Sequence, residues 1–297
     1  MDRIRRVLIV GGTHGNEFTG VYLVKKFEAN PSLIQRSSVS TETLIGNPRA
    51  FAATRRYVEQ DLNRSFSRGT LEAGPGDAYE ADRARWIHQS FGSQGHSPAD
   101  FVLDLHTSTA SMGFTVILVN HSEFNLQLAA YLTTVNPDVR IYRWTDTNVE
   151  STFLNSICDR GFSIEVGPIA QGILNAALFE QTEQLIHALL DYLEQFNQNT
   201  LPVLPETVTL YQHSTTIDFP RNEQGELAAM IHPERQGKDY GELKPGDPIF
   251  LTFEGEAIAY TGESSVYPIF INEAAYYEKG VAMCLTKKET LRIKQNQ

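Results

Sequence analysis

Apolar residues gather in short runs at 7–10, 44–45, 101–105, 114–119, 139–142 and 162–166. Runs of this length suit buried strands better than helices. Between them the period changes. "EFTGVYLVKKF" brings Phe18, Val21, Tyr22, Val24 and Phe27 near one helical face. "DAYEADRARWIHQSF", "FNLQLAAYLTTV" and "LNAALFEQTEQLIHALLDYLEQF" predict three further helices, the middle one stopped by Asn136-Pro137. Strands alternating with helices predict an α/β domain with a mostly parallel or mixed sheet over residues 1–200.

After "NQNTLPVLPE" the pattern shifts. Short β-rich runs follow, "TVTLYQH", "PIFLTF", "AIAYTG", "VYPIFIN" and "VAMCLTKKETLRI", parted by turn signals such as "RNEQGE" and "KPGDP". A smaller β-rich domain is expected over 201–297. The N-terminal "MDRIRRVLIVGG" carries basic residues before an apolar run, but that run is short and no small-residue cleavage site follows it. It is read as a first strand.

Composition narrows the class. With 41% hydrophobic and 21% charged residues in 297, the chain is globular and long enough for a sizeable core. No apolar run approaches 18 residues, so no membrane span is expected. Cys158 and Cys284 lie far apart without CxxC spacing, which suits a reduced, cytoplasmic protein. A net charge of −11 argues against nucleic acid as a partner. No lysine occurs between Lys26 and Lys238, which excludes a phosphate-loop or Schiff-base lysine there. Arginine carries the positive charge instead. Arg49, Arg55, Arg56, Arg64 and Arg68 face only Glu59 and Asp61 between positions 47 and 70. Such a cluster is either a solvated face or a docking site for a planar carboxylate.

Candidate chemistry sits where strands end, the usual place for ligands in open α/β sheets. "VLIVGGTHGNE" sets His14 and Glu17 after the first strand, and "FVLDLHTSTASMG" sets His106 after the third. Two histidines and a carboxylate are the ligand set of several catalytic zinc sites and leave a coordination position open. His-x-x-Glu alone is common by chance, and a lone histidine after a strand is more often a satisfied polar residue. The paired strand-end placement and the glycines beside it bring the metal reading level with that one, with Asp104 placed to orient a ligand. In "GFSIEVGP", Glu165 falls on the strand face opposite Phe162, Ile164 and Val166. It reads either as an ordinary strand carboxylate or as a general base. The other histidines receive no role.

"GGTHGNE", "GNPRA", "RRYVEQDLNRSF", "DLHTSTASMG", "IEVGP" and "NEAAYYEKG" follow one another in an order that resembles the aspartoacylases. These belong to the zinc-carboxypeptidase-like superfamily, in the branch that includes succinylglutamate desuccinylases. The resemblance spans about positions 7 to 280. It implies a zinc-carboxypeptidase-like mixed-sheet α/β domain and a C-terminal β-rich domain that narrows the entrance. It also implies one Zn2+ per chain and hydrolysis of a small N-acyl amino acid. By the same resemblance His14, Glu17 and His106 are the zinc ligands and Glu165 is the general base and acid. Arg56 polarises the scissile carbonyl, Asn63 and Arg64 hold the substrate α-carboxylate, and Tyr276 binds substrate. Asp61 and Asn47 support these groups from behind.

N-acetyl-L-aspartate is the substrate this resemblance implies first. Two departures weaken it. Asn155 stands where mammalian aspartoacylases carry an arginine, and Gly280 stands where they carry a lysine, with Lys279 adjacent. Arg160 or Arg143 could replace the missing charge, and the alignment across 143–160 could contain a gap. Competing readings are an aminoacylase for neutral or aromatic N-acyl amino acids, a desuccinylase, and a non-catalytic sensor. A sensor should have lost a ligand or the base, and all four residues are present. Homo-oligomerisation stays open.

Overall fold

The structure is a computed structural model that describes residues 3–76, 78–144 and 151–294. Asp77, at the head of one predicted helix, and part of the 143–160 stretch lie outside the described residues.

The first two-thirds alternates strand and helix. It comprises β1 (Arg6–Gly11), α1 (Phe18–Ala29), β2 (Ser40–Ile45), α2 (Pro48–Ala52), α3 (Arg68–Glu72), α4 (Tyr79–Phe91) and β3 (Phe101–Thr107). Then come β4 (Gly113–Leu118), α5 (Glu123–Val135), β5 (Val139–Arg143), β6 (Gly161–Gly167) and α6 (Ala176–Gln198). Every apolar run of that region lies on a strand, save Val119 one residue past the end of β4, and each of the four amphipathic stretches forms a helix. Local signals fix several ends. The Ser122 side chain accepts from Asn125 N to start α5, and Asn175 accepts from Leu178 N to start α6. α6 stops at Asn199, which adopts the left-handed conformation suited to a helix C-terminus.

α1 departs from its expected face. Leu23 is fully buried, whereas Tyr22 is 38% exposed and packs edge-on against Phe18 and Phe51.

The remaining strands are β7 (Thr207–Ile217), β8 (Ala229–Ile231), β9 (Pro248–Thr252), β10 (Ala257–Ala259), β11 (Tyr267–Ile269) and β12 (Met283–Arg292). They divide between two sheets. β8, β9 and β10 form a small antiparallel sheet over its own core, which includes Phe219, Ile231, Leu243, Ile249 and Val266. β7, β11 and β12 instead extend the large sheet, whose order is β11-β12-β7-β5-β4-β6-β3-β1-β2. β7 runs parallel to β5, with Tyr142 opposite Tyr211, and antiparallel to β12. β7, β11 and β12 therefore continue the α/β sheet, while β8, β9 and β10 stand apart from it.

Period-two alternation sorts the sheet's faces. One face sends Leu103, Leu105, Phe162, Ile164, Val166, Phe114 and Val116 into the main core with α5 and α6. The other carries Asp104 and His106 on β3 beside their register partners Ser163 and Glu165 on β6. Chemistry-bearing residues thus share one face near the strands' carboxyl ends.

Candidate active site

Two glycines bring the first strand end into place. A Cβ on Gly11 would lie 2.2 Å from the Gly20 carbonyl oxygen, so α1 packs this close only against glycine. Gly12 takes a positive φ of 72°, which turns the chain toward His14. His106 lies within β3 rather than in the loop after it, one residue short of the strand end.

His14, Glu17 and His106 converge, and all three are buried. His14 Nδ1 is 2.7 Å from Glu17 Oε1, and His106 Nδ1 is 3.0 Å from Glu17 Oε2. The two Nδ1 atoms are 3.2 Å apart. Each ring's other nitrogen faces an aspartate. His14 Nε2 is 3.0 Å from Asp61 Oδ1, and His106 Nε2 is 2.7 Å from Asp104 Oδ2. Asp104 is fixed in turn by the Thr13 hydroxyl at 2.6 Å. A ring nitrogen that donates to a carboxylate leaves the opposite nitrogen as a lone pair. With those roles, two imidazole nitrogens and a carboxylate point at one spot, an arrangement suited to a cation. The donor set, N, N and O with histidines backed by carboxylates, fits zinc.

The electrostatics agree. Burial opposes ionisation of Glu17, but His14 and His106 outweigh it and hold the carboxyl well below its usual range. Burial likewise opposes charge on His106, yet Asp104 and Glu17 raise its proton affinity. Asp61 is buried too, and His14, Arg56 and Lys279 keep it ionised. Glu165 behaves oppositely. Burial, and next the Glu17 charge, push its carboxyl well above the usual range.

A cavity opens from this cluster and follows the sheet face strand by strand. Its polar end holds the three converging residues with Arg56, Asn63, Arg64, Glu165 and Lys279. Ile117, Val119, Tyr142, Trp144, Phe153, Phe270 and Val281 wall the far end, with Tyr276 and Glu273 from the C-terminal segment. The eight residues expected to bind metal or substrate or to act as base therefore line one cavity, while Asn47, Asp61 and Asp104 lie behind it.

The cations are already engaged. Arg56 Nη1 donates to Glu17 Oε1 at 3.2 Å, while its buried Nε has no hydrogen-bond partner among the described residues. Lys279 Nζ donates to Asp61 Oδ2 at 2.5 Å. Arg64 lies over the Phe153 ring at 4.5 Å, and Asn63 Oδ1 accepts from Leu154 N at 2.9 Å. The rest of the arginine cluster stays outside. Arg49 stacks on Tyr79, Arg68 pairs with Glu72, and Arg55 is exposed. Arg143 and Arg160, the candidates for a replacement charge, do not line the cavity. Arg160 lies over Phe124.

Several residues here escaped the sequence reading. Glu273 is buried and its Oε2 accepts from the Ser108 hydroxyl, from Thr109 N at 2.7 Å, from the Thr109 hydroxyl at 3.0 Å and from Ala110 N at 3.3 Å. It ties the segment bearing Tyr276 to the loop after His106. His213 stacks on Trp144 at 4.1 Å and meets the Tyr142 hydroxyl at 3.0 Å. The adjacency of Glu273 to "AAYY" was the one available signal.

Residues 3–193 match the family model for the succinylglutamate desuccinylase/aspartoacylase catalytic domain, and residues 206–288 match that for the AstE/AspA barrel-sandwich hybrid domain. The chain belongs to the AstE/AspA family. A family member from Trichodesmium erythraeum, named a probable aspartoacylase, is 54% identical over 99% of this chain and 100% of its own. A human relative, named an N-acyl-aromatic-L-amino acid amidohydrolase (carboxylate-forming), is 43% identical over 98% of this chain and 93% of its own. The crystal structure of murine aminoacylase 3 superposes with a TM-score of 0.95 at 41% identity, covering 100% of this chain and 99% of that one.

Proposed function

We propose that this chain is a zinc-dependent amidohydrolase that cleaves small N-acyl amino acids to a carboxylate and a free amino acid. Its side-chain site takes apolar and aromatic amino acids in preference to aspartate. The convergence of three buried lone-pair donors at the head of a cavity with an aromatic far wall carries this reading. The names of the human and Trichodesmium relatives support the reaction class.

His14, Glu17 and His106 would hold the zinc ion. When bound, zinc supplies a Lewis acid that polarises a carbonyl and makes water acidic. Asn63 and Arg64 bind the substrate α-carboxylate and orient the amide. Arg56 places its guanidinium beside the oxygen that gains charge, where a preorganised donor lowers the barrier most. Glu165 takes the proton from the attacking water and delivers it to the departing amine nitrogen. The segment 270–284, with Tyr276, roofs the cavity and excludes solvent.

An aspartate side chain in the far half would be desolvated against Phe270, Trp144 and Ile117, with no free cation among the described residues that line it. N-acetyl-aspartate is the second reading, and Lys279, which reaches the cavity, is the observation that favours it. Comparison of kcat/KM for the N-acetyl derivatives of phenylalanine, leucine and aspartate tests the assignment. A higher kcat/KM for the aspartate derivative than for the phenylalanine and leucine derivatives would overturn it.

A further inference from the structure

Arg56, Asp61, Asn63 and Arg64 sit on one stretch of chain between α2 and α3. That stretch joins no strand, and its one regular element is a single 3-10 turn at Leu62–Arg64. Ladder hydrogen bonds do not hold it, so beyond the bond that Gly15 N donates to the Arg56 carbonyl at 3.1 Å something else must hold its middle.

Glu80 does. It lies in the first turn of α4, where a helix N-terminus favours a carboxylate, and it is fully buried. Its Oε1 accepts from Val58 N at 2.6 Å and from Asn47 Nδ2 at 3.0 Å. Its Oε2 accepts from Glu59 N at 3.1 Å and from Gln60 N at 3.2 Å. Three successive backbone amides thus wrap one carboxylate. Glu59 returns the link, since its carboxylate accepts from Tyr79 N at 2.7 Å. The fourth donor leads to the metal side. Asn47 donates its own backbone N–H to the Gly12 carbonyl at 2.8 Å, two residues before His14. One buried carboxylate therefore joins the turn bearing His14 and Glu17 to the stretch bearing the arginines.

We propose that Glu80 is a positioning residue for the reaction. It sets the distance between the metal cluster and the Asn63–Arg64 pair that receives the substrate α-carboxylate. The inference rests on the carboxylate-binding role proposed above. A merely structural Glu80 would affect all substrates alike, whereas a positioning Glu80 governs the advantage of a free α-carboxylate over a neutral group.

The test compares kcat/KM for N-acetyl-phenylalanine and its α-amide, N-acetyl-phenylalaninamide, in zinc-loaded wild type and Glu80→Gln. The glutamine amide nitrogen must face backbone N–H donors, so part of the cradle opens. The wild type should favour the free acid. Glu80→Gln should shrink that preference at least about 10-fold, or ~1.4 kcal/mol, mainly through KM for the acid, while zinc content holds at the wild-type level. An unchanged preference overturns the proposal even if the variant melts earlier, and so does loss of zinc together with preference. If Glu80→Gln fails to fold, Glu80→Asp keeps the charge but falls one methylene short. It should lose part of the preference, and full retention overturns the proposal. A wild type indifferent to acid or amide instead overturns the carboxylate-binding role, and the inference with it.

Discussion

Replacing Glu273 by alanine should loosen the roof of the active site. Its carboxylate accepts four hydrogen bonds from the Ser108–Ala110 loop on Oε2, and a fifth from Ala275 N on Oε1 at 3.0 Å. Each buried donor left without a partner costs about 1–3 kcal/mol, but these costs are not additive when one residue accepts every bond. Removing the Glu273 side chain orphans five donors and should cost about 3–5 kcal/mol in all. For a chain of this size that corresponds to a fall in Tm of roughly 6–15 °C. Calorimetry of the zinc-loaded protein measures this, and kcat/KM at 25 °C reads the displacement of Tyr276 as a rise in KM. Glu273→Gln keeps one acceptor oxygen and should fall between. A Glu273→Ala variant melting within about 2 °C of the wild type would refute the reasoning, since it would mean the five donors find other partners.

Four further outcomes are expected. His106→Ala should keep its fold but lose most bound zinc by elemental analysis; stoichiometric metal in that variant removes His106 from the ligand set. Glu165→Gln should keep zinc and substrate affinity while kcat falls by about 10²-fold or more, and an unchanged kcat moves the base elsewhere. Burial raises the Asp239 carboxyl from its ordinary 3.8 to about 6, so between those values the folded state holds a proton that the unfolded chain has lost. Its stabilising contribution is present at the acid end and lost as pH rises through about 6; Asp239→Asn should remove that slope from denaturant titrations, and a persistent slope assigns it to another group. Gly280→Lys, which restores the aspartoacylase pattern, should destabilise the protein without gaining activity on N-acetyl-aspartate. The site has a φ of +65°, and a Cβ there would lie 2.9 Å from Asp218 Oδ2; a large gain in that activity would contradict this.

The sheet and its helices were legible because apolar runs and helical periods are local signals, and the strand-end residues His14, Glu17 and His106 could be read the same way. Tyr22 was misjudged because only tertiary packing decides which flank of a half-buried helix faces Phe51. β8 is three residues long, too short to show alternation. The aromatic wall was invisible for another reason: Tyr142 and Phe270 meet only when β7 and β12 join the sheet beside β5. Glu80 and Glu273 look like ordinary carboxylates in sequence, because their donors are mostly backbone amides. Those donors carry no residue-type signature.

β7 is bonded to β5 on one side and to β12 on the other. A clamshell motion of the C-terminal strands against the rest would have to tear a ladder of a shared sheet. The β5–β7 register pairs, Tyr142 with Tyr211 and Arg143 with Gln212, are the seam such a motion must break, and their amides should exchange no faster than those of β12 beside them. Any opening of the cavity then falls to side chains and loops around it, such as the contact between the Tyr57 hydroxyl and Glu278 at 2.8 Å, which links the residue after Arg56 to the residue before Lys279.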